Sequence, residues 1–280
     1  MAGTALVLGG GGITGIGWEI GMLAGLAEAG IDLAAADVVI GTSAGSIVGA
    51  HLTAERLSLE EMYQRQLAVP EGRSGARMGP AAMARFAAIA LRSRDVVTFG
   101  ARMGRLAVAA RTVPEAEQRS VIARTLGFDD WPARRLVVTV VDSATGKRAT
   151  FDDTSGVPLV DAVAASCAAP GVYPPVTLGG KRWIDGGVHS SANVDLAAGY
   201  ARVVVIAPMA VSGGPIAAPR TQGETLARQG ARVCVVTPDR EARAAFGRNV
   251  LDPAKRADAA RAGRRQSARH TAEIREVWSD

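Results

Sequence analysis

A serine set between two glycines is the residue in this sequence best placed to do chemistry. Residues 41–45 read Gly-Thr-Ser-Ala-Gly, the pattern G-x-S-x-G, directly after the apolar run at residues 38–40. A strand that turns sharply into a helix lifts the serine Oγ above the sheet, and Gly41 and Gly45 supply the missing Cβ atoms that so tight a turn requires. The pattern predicts that Ser43 is a nucleophile, with a plain turn of small residues as the alternative.

A serine hydroxyl is a weak nucleophile until a base removes its proton, so the chain must supply a partner. Three histidines are present, and His51 lies on the helix that follows the serine, while His270 lies in the arginine-rich C-terminal segment. A Ser-Asp-His triad is disfavoured because an α/β-hydrolase places its nucleophile after several strands, whereas Ser43 follows only the second. His189, four residues after Asp185, stays open as a group that reaches the site.

A carboxylate that acts directly on the serine is the favoured alternative, and Asp185 is the best candidate. It lies between a predicted strand at residues 182–184 and two glycines, Gly186 and Gly187. The glycines allow the backbone to fold tightly around the aspartate, so that a partly desolvated acid at the sheet edge can serve as general base. The other interpretation of Asp-Gly-Gly is a simple turn.

A run of glycines offers an anion-binding site. Residues 9–15 read Gly-Gly-Gly-Gly-Ile-Thr-Gly directly after the predicted strand at residues 4–8. Successive glycines leave backbone N–H groups uncovered, and at the start of a helix these groups can point into one concavity. The run therefore predicts a loop that could stabilise a negative charge next to the serine.

The same glycines admit a second interpretation as a dinucleotide fingerprint. Gly10, Gly12 and Gly15 fit G-x-G-x-x-G, with Asp32 or Asp37 in the region of a ribose-binding acid. This interpretation is weak, because a Rossmann protein does not need an exposed serine turn at the end of its second strand. A dinucleotide-binding oxidoreductase stays as the least favoured function.

The elements around these motifs predict an α/β fold. The strands at residues 4–8 and 37–40, with a helix at 18–29, bring the glycine run and the serine to the same carboxyl edge of a parallel sheet, where open α/β folds bind ligands. Further elements are indicated by apolar residues that recur about every two residues in strands and about every 3.6 residues in helices. The strands are predicted at 136–141, 148–151, 182–184, 203–207 and 233–237, and the helices at 157–169, 224–229 and 253–278.

A helical cap is predicted at about residues 57–125, where clear strand patterns are missing. Between residues 77 and 111 its arginines face a single acidic residue, Asp95, and alternate with apolar side chains. Two interpretations stay open: a solvated helical insertion, or a lid that touches a lipid surface. The arginines are Arg77, Arg85, Arg92, Arg94, Arg102, Arg105 and Arg111, and Met78 is among the apolar residues.

Composition limits the class of protein. The 280 residues suit one α/β domain, and 48% hydrophobic with 21% charged residues is ordinary for a globular protein. An aromatic content of 4% argues against a base-stacking nucleic-acid surface. The net charge of +5 permits peripheral contact with an anionic membrane surface.

Location and cofactors are also constrained. Cys167 and Cys234 lie in apolar surroundings that predict packed, reduced thiols, and the N-terminus lacks a secretory pattern. Runs of about 18 apolar residues are missing, so we expect a cytoplasmic protein whose membrane contact is peripheral. Clustered His, Cys, Asp and Glu spacings and acidic calcium loops are missing too, so we expect no metal and no cofactor.

Four of these blocks together resemble the patatin-like phospholipase family. They are the glycines at 9–12 with Gly15, the serine turn at 41–45, the segment at 165–171 that reads Ala-Ser-Cys-Ala-Ala-Pro-Gly, and Asp185 with its two glycines. Their order and spacing are similar to the family's over roughly residues 4–240. The resemblance implies a three-layer α/β/α sandwich with a mainly parallel central sheet.

The resemblance also implies a function. Ser43 and Asp185 would form a Ser–Asp dyad, Gly10, Gly11 and Gly12 would form an oxyanion hole, and the substrates would be acyl esters of lipids such as phospholipids or lysophospholipids. An acyl-serine intermediate would be released by water. No nucleic-acid partner is implied.

One residue departs from the family pattern. Family members usually carry Arg or Lys where this chain has Thr14, and that cation is expected to order the glycine loop or support the oxyanion. A hydroxyl at this position predicts a weaker or differently tuned enzyme. A non-catalytic lipid-binding or regulatory relative is the alternative.

Overall fold

One sheet of eight strands organises the residues 2–68, 76, 80–210 and 213–279 that this computed structural model describes. The strands are β1 (Thr4–Leu8), β2 (Val38–Gly41), β3 (Leu136–Asp142), β4 (Arg148–Phe151), β5 (Val176–Leu178), β6 (Lys181–Asp185), β7 (Arg202–Ile206) and β8 (Arg232–Val236). Their order is β5-β6-β3-β2-β1-β7-β8, and β4 pairs with β3. Neighbours among β3, β2, β1, β7 and β8 are parallel, whereas β4, β5 and β6 pair antiparallel. The predicted α/β class with a mainly parallel sheet is confirmed.

Ten α-helices accompany the sheet in the described ranges. They are α1 (Gly12–Glu28), α2 (Ala44–Ala54), α3 (Leu59–Leu67), α4 (Pro80–Arg92), α5 (Val96–Ala109), α6 (Glu115–Leu126), α7 (Leu159–Ser166), α8 (Pro219–Arg228), α9 (Arg240–Phe246) and α10 (Arg256–Trp278). Within the same ranges, no helix is long and apolar enough to cross a membrane.

The sheet has a helical layer on each face because side chains alternate along its strands. Leu6 and Leu8 of β1 point into the larger core, which α1, α2, α3, α6, α7, α9 and α10 complete. Ala5 and Val7 point to the other face, where they pack in a cluster that includes a side chain of α8. Val141 of β3 also points away from the larger core and packs against α4 and α5. These layers make the α/β/α sandwich.

The segment predicted to be a cap divides between the two faces. Met62 of α3 and Ile122 of α6 are buried in the larger core. Met103 of α5 packs instead over the ends of β3 and β6, together with side chains of α4. In the described part of this segment, α4 and α5 therefore lie on the opposite face of the sheet from α3 and α6. Arg77 and Met78, which belong to the predicted cap, lie outside the described residues.

Helix α1 begins at Gly12, six residues before the predicted start at residue 18. Glycine favours loops over helices, so the sequence suggests a later start, but close packing against α10 needs glycine inside α1. A Cβ on Gly21 would lie 2.0 Å from the Ala260 carbonyl oxygen, and one on Gly25 would lie 2.1 Å from Ser267 Oγ. The glycine run thus ends in the first turn of a helix that is buried against the C-terminal helix.

Strand β3 brings the ends of β2 and β6 together. Gly41 of β2 pairs with Val138, and Asp185 of β6 pairs with Val140. Since β4 pairs with both Val138 and Val140, it occupies the opposite edge of β3. Strands β2 and β6 therefore pair with the same edge of β3, one after the other along its length. Asp185, the last residue of β6, consequently lies beside the turn that follows β2.

Candidate active site

Ser43 occupies a strained turn between β2 and α2. Its φ of 53° and ψ of −115° lie in a region that a non-glycine residue adopts at a cost of about 1–3 kcal/mol. A Cβ on Gly41 would lie 2.6 Å from Ser46 Cα, and one on Gly45 would lie 2.2 Å from the Leu8 carbonyl oxygen. Both flanking positions therefore require glycine, and the predicted strand–turn–helix surrounds the serine.

Asp185 is buried beside this turn. Its Oδ1 accepts a hydrogen bond of 2.7 Å from the Gly187 N–H, and only 7% of the residue is exposed. Burial raises the pKa of the Asp185 carboxyl from 3.8 to about 6, and the hydrogen bond from the Gly187 N–H and the proximity of the Ser43 hydroxyl limit this rise. A Cβ on Gly186 would lie 2.2 Å from Thr139 Oγ1, so the chain after the aspartate can turn this closely only with glycine.

The segment after α7 holds the serine turn from the other side. The Ser43 N–H donates to Ser166 Oγ at 2.9 Å, and the Cys167 thiol lies 3.4 Å from the Ser43 carbonyl oxygen. Burial, with the charge of Asp185, raises the pKa of the Cys167 thiol to about 12, so this thiol is neutral. The Asp185 N–H donates to the Ala168 carbonyl at 3.1 Å. One segment thus contacts both candidate catalytic residues.

Asn193 joins the two sides of the site, and the sequence analysis did not identify it. Its side-chain amide donates to Thr42 Oγ1 at 3.0 Å and to the Gly186 carbonyl at 3.3 Å, and the residue is fully buried. Thr139 Oγ1 donates to Thr42 Oγ1 at 2.9 Å. The signal available in the sequence is an Asn after two serines and an alanine; Asn tolerates the left-handed φ of 54° found here.

The glycine loop lies against the serine. A Cβ on Gly10 would lie 3.4 Å from Ser43 Cβ, but the Gly10 N–H already donates to the Ser191 carbonyl at 2.7 Å. Among the described residues, no acceptor is found for the N–H groups of Gly11 and Gly12, which precede or begin α1. Of the three predicted oxyanion donors, two are therefore free and Gly10 is engaged.

Thr14 is fully buried behind this loop. Both its N–H, at 3.0 Å, and its Oγ1, at 3.3 Å, donate to the Val250 carbonyl. A Cβ on Gly12 would lie 2.8 Å from the same oxygen, and the Gly15 N–H donates to the Gly11 carbonyl at 2.9 Å. The loop is thus held by the backbone near residue 250.

Glu19 lies on α1, fully buried near the loop. Burial raises the pKa of Glu19 well above 4.5, and the nearby Gly9 N–H only partly opposes this rise. Burial therefore favours the protonated, neutral form of this carboxyl. Pattern analysis missed it because an acid inside an apolar helix carries no recognised motif.

The remaining candidates are occupied elsewhere. His51 contacts the Thr125 carbonyl at 3.1 Å, and His270 contacts Gln266 at 3.3 Å. The backbone N–H of His189 donates to the Gly186 carbonyl. Within the described part of the chain, the imidazole of His189 makes no hydrogen bond to Ser43. Asp37 accepts from the Thr4 N–H at 2.7 Å, and Asp32 accepts from the Ala34 N–H at 2.9 Å, so both acids have local structural roles.

Metal ligands are not grouped in the described ranges: no three His, Cys, Asp or Glu residues there could hold one ion. Both cysteines are buried free thiols, as predicted.

Comparison with known proteins gives a family. A family model described as Patatin-like phospholipase matches residues 6–198. A search of curated proteins gave no match. Among solved structures, VipD from Legionella pneumophila is 12% identical with a TM-score of 0.48, over 98% of this chain and 67% of that one. The type III effector protein ExoU is 16% identical with a TM-score of 0.41, over 98% of this chain and 53% of that one.

Proposed function

This chain belongs to the patatin-like phospholipase family, and from that premise we propose that it cleaves fatty-acyl esters of phospholipids or lysophospholipids through Ser43 and Asp185. The observation that carries the proposal is the buried carboxyl of Asp185, which lies near enough to Ser43 for the hydroxyl to lower its pKa and whose pKa burial nevertheless raises to about 6. A base with a pKa near the working pH is suited to accept a proton and to return it.

The reaction proceeds in two steps. Asp185 accepts the hydroxyl proton as Ser43 Oγ attacks the ester carbonyl, and the acid then gives this proton to the departing alcohol. Asp185 next accepts a proton from water as the water attacks the acyl-serine, and the proton returns to Ser43 as the fatty acid leaves.

The oxyanion of each tetrahedral intermediate needs donors that are free before the reaction begins. We propose the N–H groups of Gly11 and Gly12, because the Gly10 N–H is held by Ser191. The positive end of α1 starts at the same place and favours a negative charge there. Gly10 then serves as the close backbone surface against Ser43.

A fluorophosphonate probe tests the nucleophile, since it reacts with activated serines. We expect labelling of the wild-type protein and none of Ser43→Ala, while Ser120→Ala, which removes an exposed hydroxyl on α6, should label normally. Equal labelling of folded Ser43→Ala, or no labelling of folded wild type, would exclude this mechanism.

A lipid-binding relative without appreciable turnover is the second candidate. It is favoured by two observations in the loop: Thr14 stands in place of the family's cation, and the Gly10 N–H is occupied. Peripheral association with an anionic membrane is common to both proposals. Sedimentation with anionic vesicles, combined with an ester assay, separates them, because the second candidate predicts binding without fatty-acid release.

A further inference from the structure

Between the helices α4 and α5 lies a groove that is lined partly by apolar side chains and partly by arginines. Its volume is about 830 Å³. Apolar side chains, including Ile89 and Leu106, line part of it, and arginines line the rest. The arginines are Arg85, Arg92, Arg102 and Arg105.

These arginines differ from most of those on α10, the other basic helix of the protein. On α10, Arg264 pairs with Glu28 and Glu60, Arg265 with Glu241, and Arg269 with Asp239. In the groove, no described acidic side chain forms an ion pair with any of the four. Arg102 donates instead to the Arg92 carbonyl at the end of α4. Four close cations without carboxylates favour an anionic ligand.

The groove shares a wall with the candidate active site. Gly171 lines the groove, and a Cβ on it would lie 3.1 Å from Leu106 Cδ2. Three residues earlier, the Ala168 carbonyl accepts the Asp185 N–H. On the other side, α5 packs against Ile184 and Val188, which flank Asp185 in the sequence.

The same helices also expose large apolar side chains. Four of the eight large hydrophobic side chains exposed in the described ranges are on α4 and α5: Met83, Leu91, Val97 and Val108. Leu91 is 86% exposed. A surface with exposed apolar groups beside a cationic groove matches a lipid, whose phosphate is anionic and whose chains are apolar.

We propose that the groove between α4 and α5 binds the phosphate head group of the lipid whose acyl ester reacts at Ser43. The inference rests on the proposed function, and it adds the place at which the phosphate of the substrate is bound. An arginine pair on a phosphate oxygen positions the lipid by charge-assisted hydrogen bonds, while Leu106 and Ile89 contact the adjoining carbon atoms.

Two double variants with the same charge change provide the test. Arg85→Gln with Arg105→Gln removes groove charges and spares Arg102, which contacts the α4 backbone. Arg124→Gln with Arg228→Gln removes two exposed arginines from α6 and α8 and serves as control. Hydrolysis is measured on lysophosphatidylglycerol and on a monoacylglycerol with the same acyl chain, which lacks the phosphate.

We expect the groove variant to raise the KM for lysophosphatidylglycerol about tenfold, the effect of losing two part-exposed charged contacts. Turnover of the monoacylglycerol should be unchanged, and the control should behave as wild type. An equal loss on both substrates, or no loss on either, would overturn the head-group site while leaving the hydrolase proposal intact.

Binding of lysophosphatidylglycerol by titration calorimetry in a Ser43→Ala background separates the two proposals, because it needs no turnover. Weaker binding in the groove variant supports the site even if wild type proves inactive. Unchanged binding overturns it. Inorganic phosphate is the competitor: displacement of the lipid at equal concentration would show a free-phosphate site and would also overturn the inference.

Discussion

Replacing Asp185 with asparagine should make the protein more stable and inactive. Burial raises the pKa of this carboxyl from 3.8 to about 6. At 1.36 kcal/mol per pKa unit, keeping the carboxylate ionised in the folded protein costs about 3 kcal/mol. Asparagine has nearly the same shape and can still accept from the Gly187 N–H, but it carries no charge to desolvate.

The sign of the pH dependence follows from proton binding. Between pH 3.8 and about 6 the folded protein holds a proton that the unfolded chain has lost, so the free energy of unfolding decreases as pH rises through this window. Below the window both forms are protonated and the aspartate costs nothing. Above it the whole cost of about 3 kcal/mol is present.

Urea unfolding of wild type and Asp185→Asn between pH 4 and pH 8 measures this difference. The variant should match wild type near pH 4 and exceed it by up to about 3 kcal/mol above pH 6. The buried Glu19 contributes to both proteins equally and cancels in the comparison. Wild-type kcat/KM should rise with pH through about 6, as the base ionises, and the variant should lack ester turnover.

Two results would refute this reasoning. A stability difference that stays constant with pH would show that Asp185 does not change its ionisation in this window. Ester turnover by Asp185→Asn at a normal rate would show that another group is the base. His189, whose backbone N–H donates to the Gly186 carbonyl, would then be the next residue to replace.

Two further substitutions test the neighbourhood of the loop. Glu19→Gln should keep the fold and raise the free energy of unfolding by an amount that grows as pH rises above 4.5, because it replaces a buried acid whose pKa is raised by burial with a neutral group of the same shape. A large loss of stability in urea unfolding would contradict this. Thr14→Val should cost about 1 kcal/mol by removing the hydroxyl bond to Val250, and should lower kcat more than it changes KM; unchanged steady-state kinetics would show that the loop does not depend on this bond.

The sequence predicted the parts of the site that depend on local geometry. The role of the glycines that flank Ser43 can be predicted from the sequence alone. A sharp turn between a strand and a helix leaves no room for a Cβ atom at particular positions, and only glycine lacks one. The structure agrees, since Cβ atoms at 41 and 45 would collide with Ser46 and Leu8. The five parallel strands could be predicted for a similar reason, because their apolar runs are short and follow turn residues.

Contacts between distant segments could not be predicted in the same way. Asp185 lies beside the serine turn because β6 pairs with β3 on the same edge as β2, directly beyond the end of β2. This register between distant strands cannot be deduced from a single sequence. The amide of Asn193 bridges Thr42 and Gly186 by the same long-range folding. Local sequence patterns indicate the chemistry available to a residue, whereas its contacts with distant residues depend on the order and register of the strands.

Thr14 shows how a change in one motif can be matched by a distant segment. The carbonyl of Val250 accepts both hydrogen bonds from Thr14 and lies against Gly12, and Val250 is beyond the residues 6–198 that the family model matches. The loop is therefore held by contacts with the backbone of the segment before α10. If the loop stabilises an oxyanion, the favourable charge must come from the N–H groups of Gly11 and Gly12 and from the start of α1. The start of α1 at Gly12, six residues before the predicted start, is for this reason the feature of the loop on which the proposed oxyanion site depends.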